Sequence, residues 1–185
     1  MEKIVVFNTD KEVSFTIEGI VSATPSLDSI SYVHKEKGAG RMAGIDGGFI
    51  VVSESVDENN IPYEDLLEYT KQLKISALSQ ECNEAITQGF EYGENIIAYA
   101  LEDQQNLSQQ LAMCSMVAPI EPLKVQTVDD GLVEFEMYEF VKICQEGEKH
   151  KEKKRSIYRD IKEEILNTQY NDVQEIKTIY VSYDE

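Results

Sequence analysis

The residues with the most chemical potential in this chain are a glycine run, two histidines and three cysteines. The run is "GAGRMAG", residues 38–44. A phosphate cradle of that composition needs a strand before it, a helix N-terminus after it and usually a Lys-Ser or Lys-Thr pair. Here "HKEK" precedes, the strand-like "GFIVV" follows, and no lysine comes after the glycines. A turn-rich surface loop is expected instead, with Arg41 and Met42 at its tip as candidate partner contacts. His34 and His150 both lie in charged surroundings, far from any serine or cysteine motif. Nucleophilic catalysis needs a base held in place by a third group, and neither setting supplies one, so both are expected at the solvated surface.

Cys82, Cys114 and Cys144 cannot all pair within one chain, and none belongs to a Cys-x-x-Cys. Each follows apolar residues at helical spacing, so reduced core thiols are expected, in a cytosolic compartment at least during folding. The carboxylates of "VDDGLVEFE" lack the alternation of a calcium loop and are expected to solvate and cap. The basic stretch 149–155, "KHKEKKR", has no interleaved aromatic residue and is expected to form a solvated helix face; a second reading is contact with an acidic segment of another copy. Gln104 and Asn106, with Tyr92 and Tyr99 nearby, invite a polar pocket. The simpler expectation is that Asp103 caps a helix while the amides bond the neighbouring backbone. No catalytic, cofactor-binding or metal-ligating residue is expected, and the chain is read as a non-enzyme.

The elements that would position these residues fall into two groups. Residues 3–7 and 13–17 are β-branched and aromatic runs separated by "NTDKE", which predicts a hairpin; 48–52 predicts a third strand. Residues 1–55 thus read as a small β-rich attachment module. The polar, proline-ended "SESVDENNIP", 53–62, is the best boundary in the chain. From Tyr63 the period changes. Leu66, Tyr69 and Leu73, then Ile75, Leu78, Cys82 and Ile86, stripe one long helix that Gly89 stops. Residues 63–185 read as a mainly helical domain with ribbons near 90–101 and 125–135. A helix after Asp103, a long helix from about Phe135 to Asn167 with Gly147 as a candidate break, and a last strand over 176–183 complete it. The expected class is α+β.

Net charge is −18, and most of the excess lies between residues 61 and 145. Such a chain repels nucleic-acid phosphate and anionic membrane, so neither is an expected partner. No run of eighteen apolar residues exists to span a bilayer, and the start "MEKIVVFNTDKEVSF" is too short in apolar residues for a signal peptide. Synthesis in the cytoplasm without Sec export is expected, and self-association would have to use apolar patches or the less acidic C-terminal part.

The stretch "CNEAITQGFEYGENIIAYALEDQQNL" carries a resemblance. A helix ending in Cys-x-x-x-Ile-x-x-Gly-Phe, a short ribbon, then Asp-Gln-x-Asn-Leu resembles a domain of unknown function from phage tail and baseplate operons. The residues are Cys82, Ile86, Gly89, Phe90, Asp103, Gln104, Asn106 and Leu107. With weaker agreement the resemblance runs over about residues 70–183. Two features depart from it: the ribbon is short, and Ala98 stands where the family has a histidine. The resemblance implies a structural component of a phage or phage-derived particle, in its tail or baseplate, with the role of a tail-fibre-associated adaptor for host attachment. It implies other tail, baseplate or fibre proteins as partners, threefold or sixfold copy number, synthesis in the bacterial host cytoplasm and residence in the virion tail. It implies no catalytic residue and no cofactor. The alternatives are a tail-fibre assembly chaperone absent from the mature particle and, less favoured by the mixed charge pattern, an acidic phage-encoded inhibitor mimicking DNA.

Overall fold

The computed structural model describes residues 1–117, 119 and 121–183. The architecture is α+β, as the sequence pattern implies: an N-terminal five-stranded antiparallel sheet, then helices with a small second sheet. The strands of the first sheet are β1 (Glu2–Phe7), β2 (Val13–Pro25), β3 (Ser29–His34), β4 (Gly38–Ala43) and β5 (Phe49–Ser53), in the order β4-β3-β2-β1-β5. Helix α1 (Tyr63–Thr87) follows, then the ribbon β6 (Phe90–Tyr92) and β7 (Asn95–Ile97), helix α2 (Leu101–Met116), the ribbon β8 (Leu123–Thr127) and β9 (Gly131–Phe135), helix α3 (Met137–Asn167) and the short α4 (Val173–Lys177). The second sheet has the order β6-β7-β8-β9. The chain divides into two compact units, one of residues 1–78 with 161–181, the other of residues 79–160 with 182–183 among the described residues. This division is drawn differently from a boundary at 53–62. It takes the first part of α1, the end of α3 and α4 into the unit of the five-stranded sheet.

In that unit β1 lies between β2 and β5, so Ile4, Val5, Val6 and Phe7 are all buried. Its alternate residues feed separate clusters, as the two-residue period of a strand requires. Ile4 and Val6 join Ile20, Ile30, Ile45 and Phe49, with Tyr69 and Leu73 of α1 packed on them. Val5 and Phe7 join Ile50, Leu66 and Val173. Strand β2 pairs with β1 through its first half and with β3 through its second. The register shifts next to Gly19, whose φ of 71° and hydrogen bond to the Glu54 carboxylate (2.8 Å) hold the irregularity.

Two expectations fail here. The glycine run is not a loop, because Gly38–Ala43 is the edge strand β4 in unbroken register with β3. Its glycines make room for an aromatic ring: a Cβ on Gly40 would lie 2.5 Å from Cζ of Tyr32, its cross-strand partner. The last strand over 176–183 is absent as well. Asp172 caps α4 by accepting from the Gln174 amide (2.8 Å), and Val173 and Ile176, three apart, bury one helical face. Lys177 then donates to the Ile45 carbonyl (2.5 Å) and pairs with Asp28 (3.2 Å).

In the other unit, β8 and β9 turn at Gly131, which has φ 73°. The two ribbons join through the Ile97–Thr127 pair, flanked by Ala98 N–H to Gln126 (3.0 Å) and Val128 N–H to Ile96 (2.8 Å). Helix α3 passes through Gly147 without a break.

Candidate functional site

The motif residues converge in the second unit, where they join helix to ribbon to helix. Cys82 and Ile86 are buried on α1. Gly89 ends that helix at φ 96°, and a Cβ there would lie 2.3 Å from the Ile97 carbonyl oxygen. Only glycine fits, because both the dihedral and the close backbone approach exclude a side chain. Phe90 is buried edge-to-face with Tyr99, centroids 5.3 Å apart at 84°. Asp103 is not the cap residue of α2. It sits three positions inside, where its carboxylate accepts from the Ala100 amide (3.0 Å), half of a capping box whose alanine cannot reciprocate. Gln104 donates to the Tyr99 carbonyl (2.9 Å), Leu107 is the buried residue of α2, and Asn106 is exposed.

Between α2 and α3 lies a half-open cavity of about 420 Å³, walled by Leu107, Leu111, Val141 and Cys144 with Tyr99, Gln104 and Glu148 at its polar side. Of the amides and tyrosines considered for a pocket, Tyr99 and Gln104 are brought together; Asn106 and Tyr92 do not line it. The Tyr99 hydroxyl donates to Glu148 (3.3 Å), which also receives Lys151 (2.5 Å). Burial raises the Tyr99 phenol well above its usual range, with the Glu148 charge adding to it, so it stays a donor at neutral pH. Burial pushes the Cys144 thiol up to about 11, with Cys114 nearby adding to the shift. Burial also raises the Cys82 thiol, against the lowering influence of Arg155 and Lys154. Thiols held protonated in this way are poor nucleophiles and poor metal ligands.

His150 departs from the expected solvated surface. It is half-buried beside Phe90 and Tyr99 (centroids 5.7 and 6.1 Å), and its Nε2 donates to the Ile86 carbonyl (3.2 Å). Burial holds its pKa below the usual value, and Lys154 and Lys153 push the same way. The neutral ring therefore works as a hydrogen-bonding strut between α3 and the end of α1. The signal was present in the sequence: His150 shares a helix face with Phe140, Ile143, Gly147 and Ile161, all on the same apolar stripe, and that period outweighs its charged neighbours.

A model of a domain of unknown function, DUF4376, matches residues 69–180. The chain belongs to this family. The match takes in the whole motif from Cys82 to Leu107 and every residue around the cavity. Neither the curated proteins nor the solved structures contain a match to the chain. In this DUF4376 domain the motif residues are occupied with one another: backbone reversal, ring packing, capping and burial account for Gly89, Phe90, Asp103, Gln104 and Leu107.

The remaining candidates stand apart. Arg41 is exposed on β4, and Met42 is half-buried and packs on the core of the first sheet, so neither is at a loop tip. Part of the basic stretch of the DUF4376 domain is engaged: Lys149 pairs with Glu146 (2.7 Å), Lys151 with Glu148, and Lys154 donates to the Tyr183 carbonyl; beyond the stretch, Arg159 pairs with Glu152. Among the described residues no three His, Cys, Asp or Glu side chains converge as a metal set, and no helix is long and apolar enough to cross a membrane. All three cysteines are free, Cys82 buried and Cys114 and Cys144 half-buried.

Proposed function

We propose that this protein is a multi-copy structural component of a phage or phage-derived tail or baseplate, serving as a tail-fibre-associated adaptor that docks through its N-terminal sheet. The resemblance of residues 70–183 to tail-operon domains supports the setting. The observation that carries the docking surface is β4. It is the terminal strand of its sheet, six residues long, in regular register, and Arg41 is its sole charge. Natural edge strands are usually blunted by lysine, proline or a bulge. An edge left this plain suits strand addition from another tail protein, with backbone hydrogen bonds supplying the affinity.

Mass spectrometry of purified particles tests the reading. The protein should be present at a fixed copy number, threefold or sixfold by tail symmetry, and Arg41→Glu should lower its incorporation without unfolding it. Absence from mature particles, together with a soluble complex with a fibre protein, would favour the assembly-chaperone reading instead. That second reading is favoured by the uncovered methionines at the end of α2, since a chaperone needs an apolar surface to offer.

A further inference from the structure

We propose that the C-terminal half of α2 is a self-recognition surface whose partner is a second copy of this chain. The helix is unusually bare. Its buried residue is Leu107, while Leu111 and Cys114 are half-covered. On another face Met113, Met116 and Val117 are 70%, 84% and 75% exposed. Spaced three and four apart, they form one continuous patch of roughly 400 Å², within the range at which a monomer's largest apolar patch tends to be functional. Pro119, Pro122 and Leu123 continue it as the wall of an open groove of about 740 Å³, with Glu121 as a charged side chain on that wall.

Charge selects the occupant. Residues 104–120 contain no charged side chain, in a chain that carries −18. Two such chains repel over most of their surface, and like charges brought together at an interface cost several kcal/mol. They meet at the lowest cost where charge is sparse, as along residues 104–120. A basic partner would be drawn to the acidic surface and not to this face. The polar residues beside the patch are also self-complementary. Gln105 and Gln109, both exposed, each offer donor and acceptor from one amide, so a glutamine meeting its own symmetry mate is satisfied where a lysine or glutamate would not be. A stable interface buries about 800 Å² per partner. The exposed patch supplies about half, and the glutamine rows along a helix of roughly 24 Å supply the rest. A reversible, concentration-dependent dimer is the consequence, and it does not depend on the tail reading.

The test uses the full-length chain carrying methyl-labelled methionine, over a concentration series at low and high salt. The chain has five methionines, so the experiment contains its own controls. Sedimentation should show a monomer–dimer equilibrium that tightens with salt, because screening weakens the repulsion between copies. The Met113 and Met116 methyl signals should shift with concentration, while those of Met1, Met42 and Met137 stay fixed. Met116→Glu should weaken dimerisation by more than about tenfold. Val33→Glu, a change at an exposed position on the first sheet, should not. Both positions are exposed, so folding is preserved and circular dichroism verifies it. A chain that stays monomeric throughout, shifts confined to the other methionines, or a Met116→Glu variant that dimerises like the wild type would each overturn the proposal.

Discussion

Gly147→Ala pits two well-understood effects against each other. Gly147 lies in the interior of α3, where alanine is the better helix former by about 1 kcal/mol. On propensity alone the substitution stabilises. The structure argues the reverse. A Cβ at Gly147 would lie 2.6 Å from Cε2 of Tyr99, 2.9 Å from its Cζ and 3.0 Å from its hydroxyl oxygen. The ring cannot easily withdraw. Tyr99 is 3% exposed, packed edge-to-face on Phe90 and His150, with its hydroxyl bonded to Glu148. Forcing one methyl into such packing costs about 2–3 kcal/mol. The net expectation is a loss of about 1–2 kcal/mol, or several degrees in melting temperature for a chain of this length. Denaturant titration followed by circular dichroism measures it. The decisive comparison is made in a Tyr99→Leu background, where the ring is gone. There Gly147→Ala should become neutral or stabilising, a change of sign that exposes the coupling. If Gly147→Ala stabilises the wild type, the ring does not sit over the glycine as described and the packing argument fails.

Two further outcomes follow from the same unit. Asp103→Ala removes the bond from the Ala100 amide and a negative charge at the start of α2, and should cost about 1 kcal/mol in thermal or chemical unfolding while leaving partner binding intact; lost binding at unchanged stability would make Asp103 a recognition residue. The depressed pKa of His150 means that the unfolded chain takes up its proton first as pH falls. The stabilisation from its neutral ring is complete above the unfolded value near 6.5 and is lost as pH falls through that value toward the lower folded one. Between about pH 7.5 and 5.5 the wild type should therefore lose more stability than His150→Phe; equal slopes would show that His150 titrates as it does in water.

The long helices were legible because their signals are periodic and punctuated. The stripe from Leu66 to Ile86 and the stop at Gly89 give α1 to within two residues. The Asp-Gly turn gives the β8–β9 ribbon in the same way. What was missed lacked a local signature. Strand β4 reads as a loop because glycine and alanine have poor strand propensity; it is held by its pairing with β3 and by Tyr32 lying across Gly40, which are tertiary effects. The segment after Asn171 reads as a strand because "IKTIYVSY" alternates, yet Asp172 caps a helix one turn earlier and Val173 and Ile176 find a core to enter. The motif residues of the cavity were legible as a set, and their roles were not, since Gly147 and His150 enter from α3, far away in sequence.

That distribution bears on how the N-terminal sheet can be tested. A boundary at residues 53–62 implies that removing residues 1–55 leaves a folded helical remainder. In the unit of the first sheet, however, Leu66 and Val173 share a cluster with Val5, Phe7 and Ile50, and Tyr69 and Leu73 pack on Ile4, Val6 and Phe49. Deletion would strip these helical residues of their apolar neighbours. At about 1.5–3 kcal/mol for each fully buried aliphatic or aromatic side chain, the exposed set would rival the whole stability of a domain. A truncated chain that fails to join particles would then report unfolding and not docking. The match to the family, residues 69–180, takes in Tyr69, Leu73 and Val173 of this shared core, so the family region itself depends on strands that precede it. Docking has to be probed by changes such as Arg41→Glu, which alter the exposed edge and leave the clusters beneath it intact.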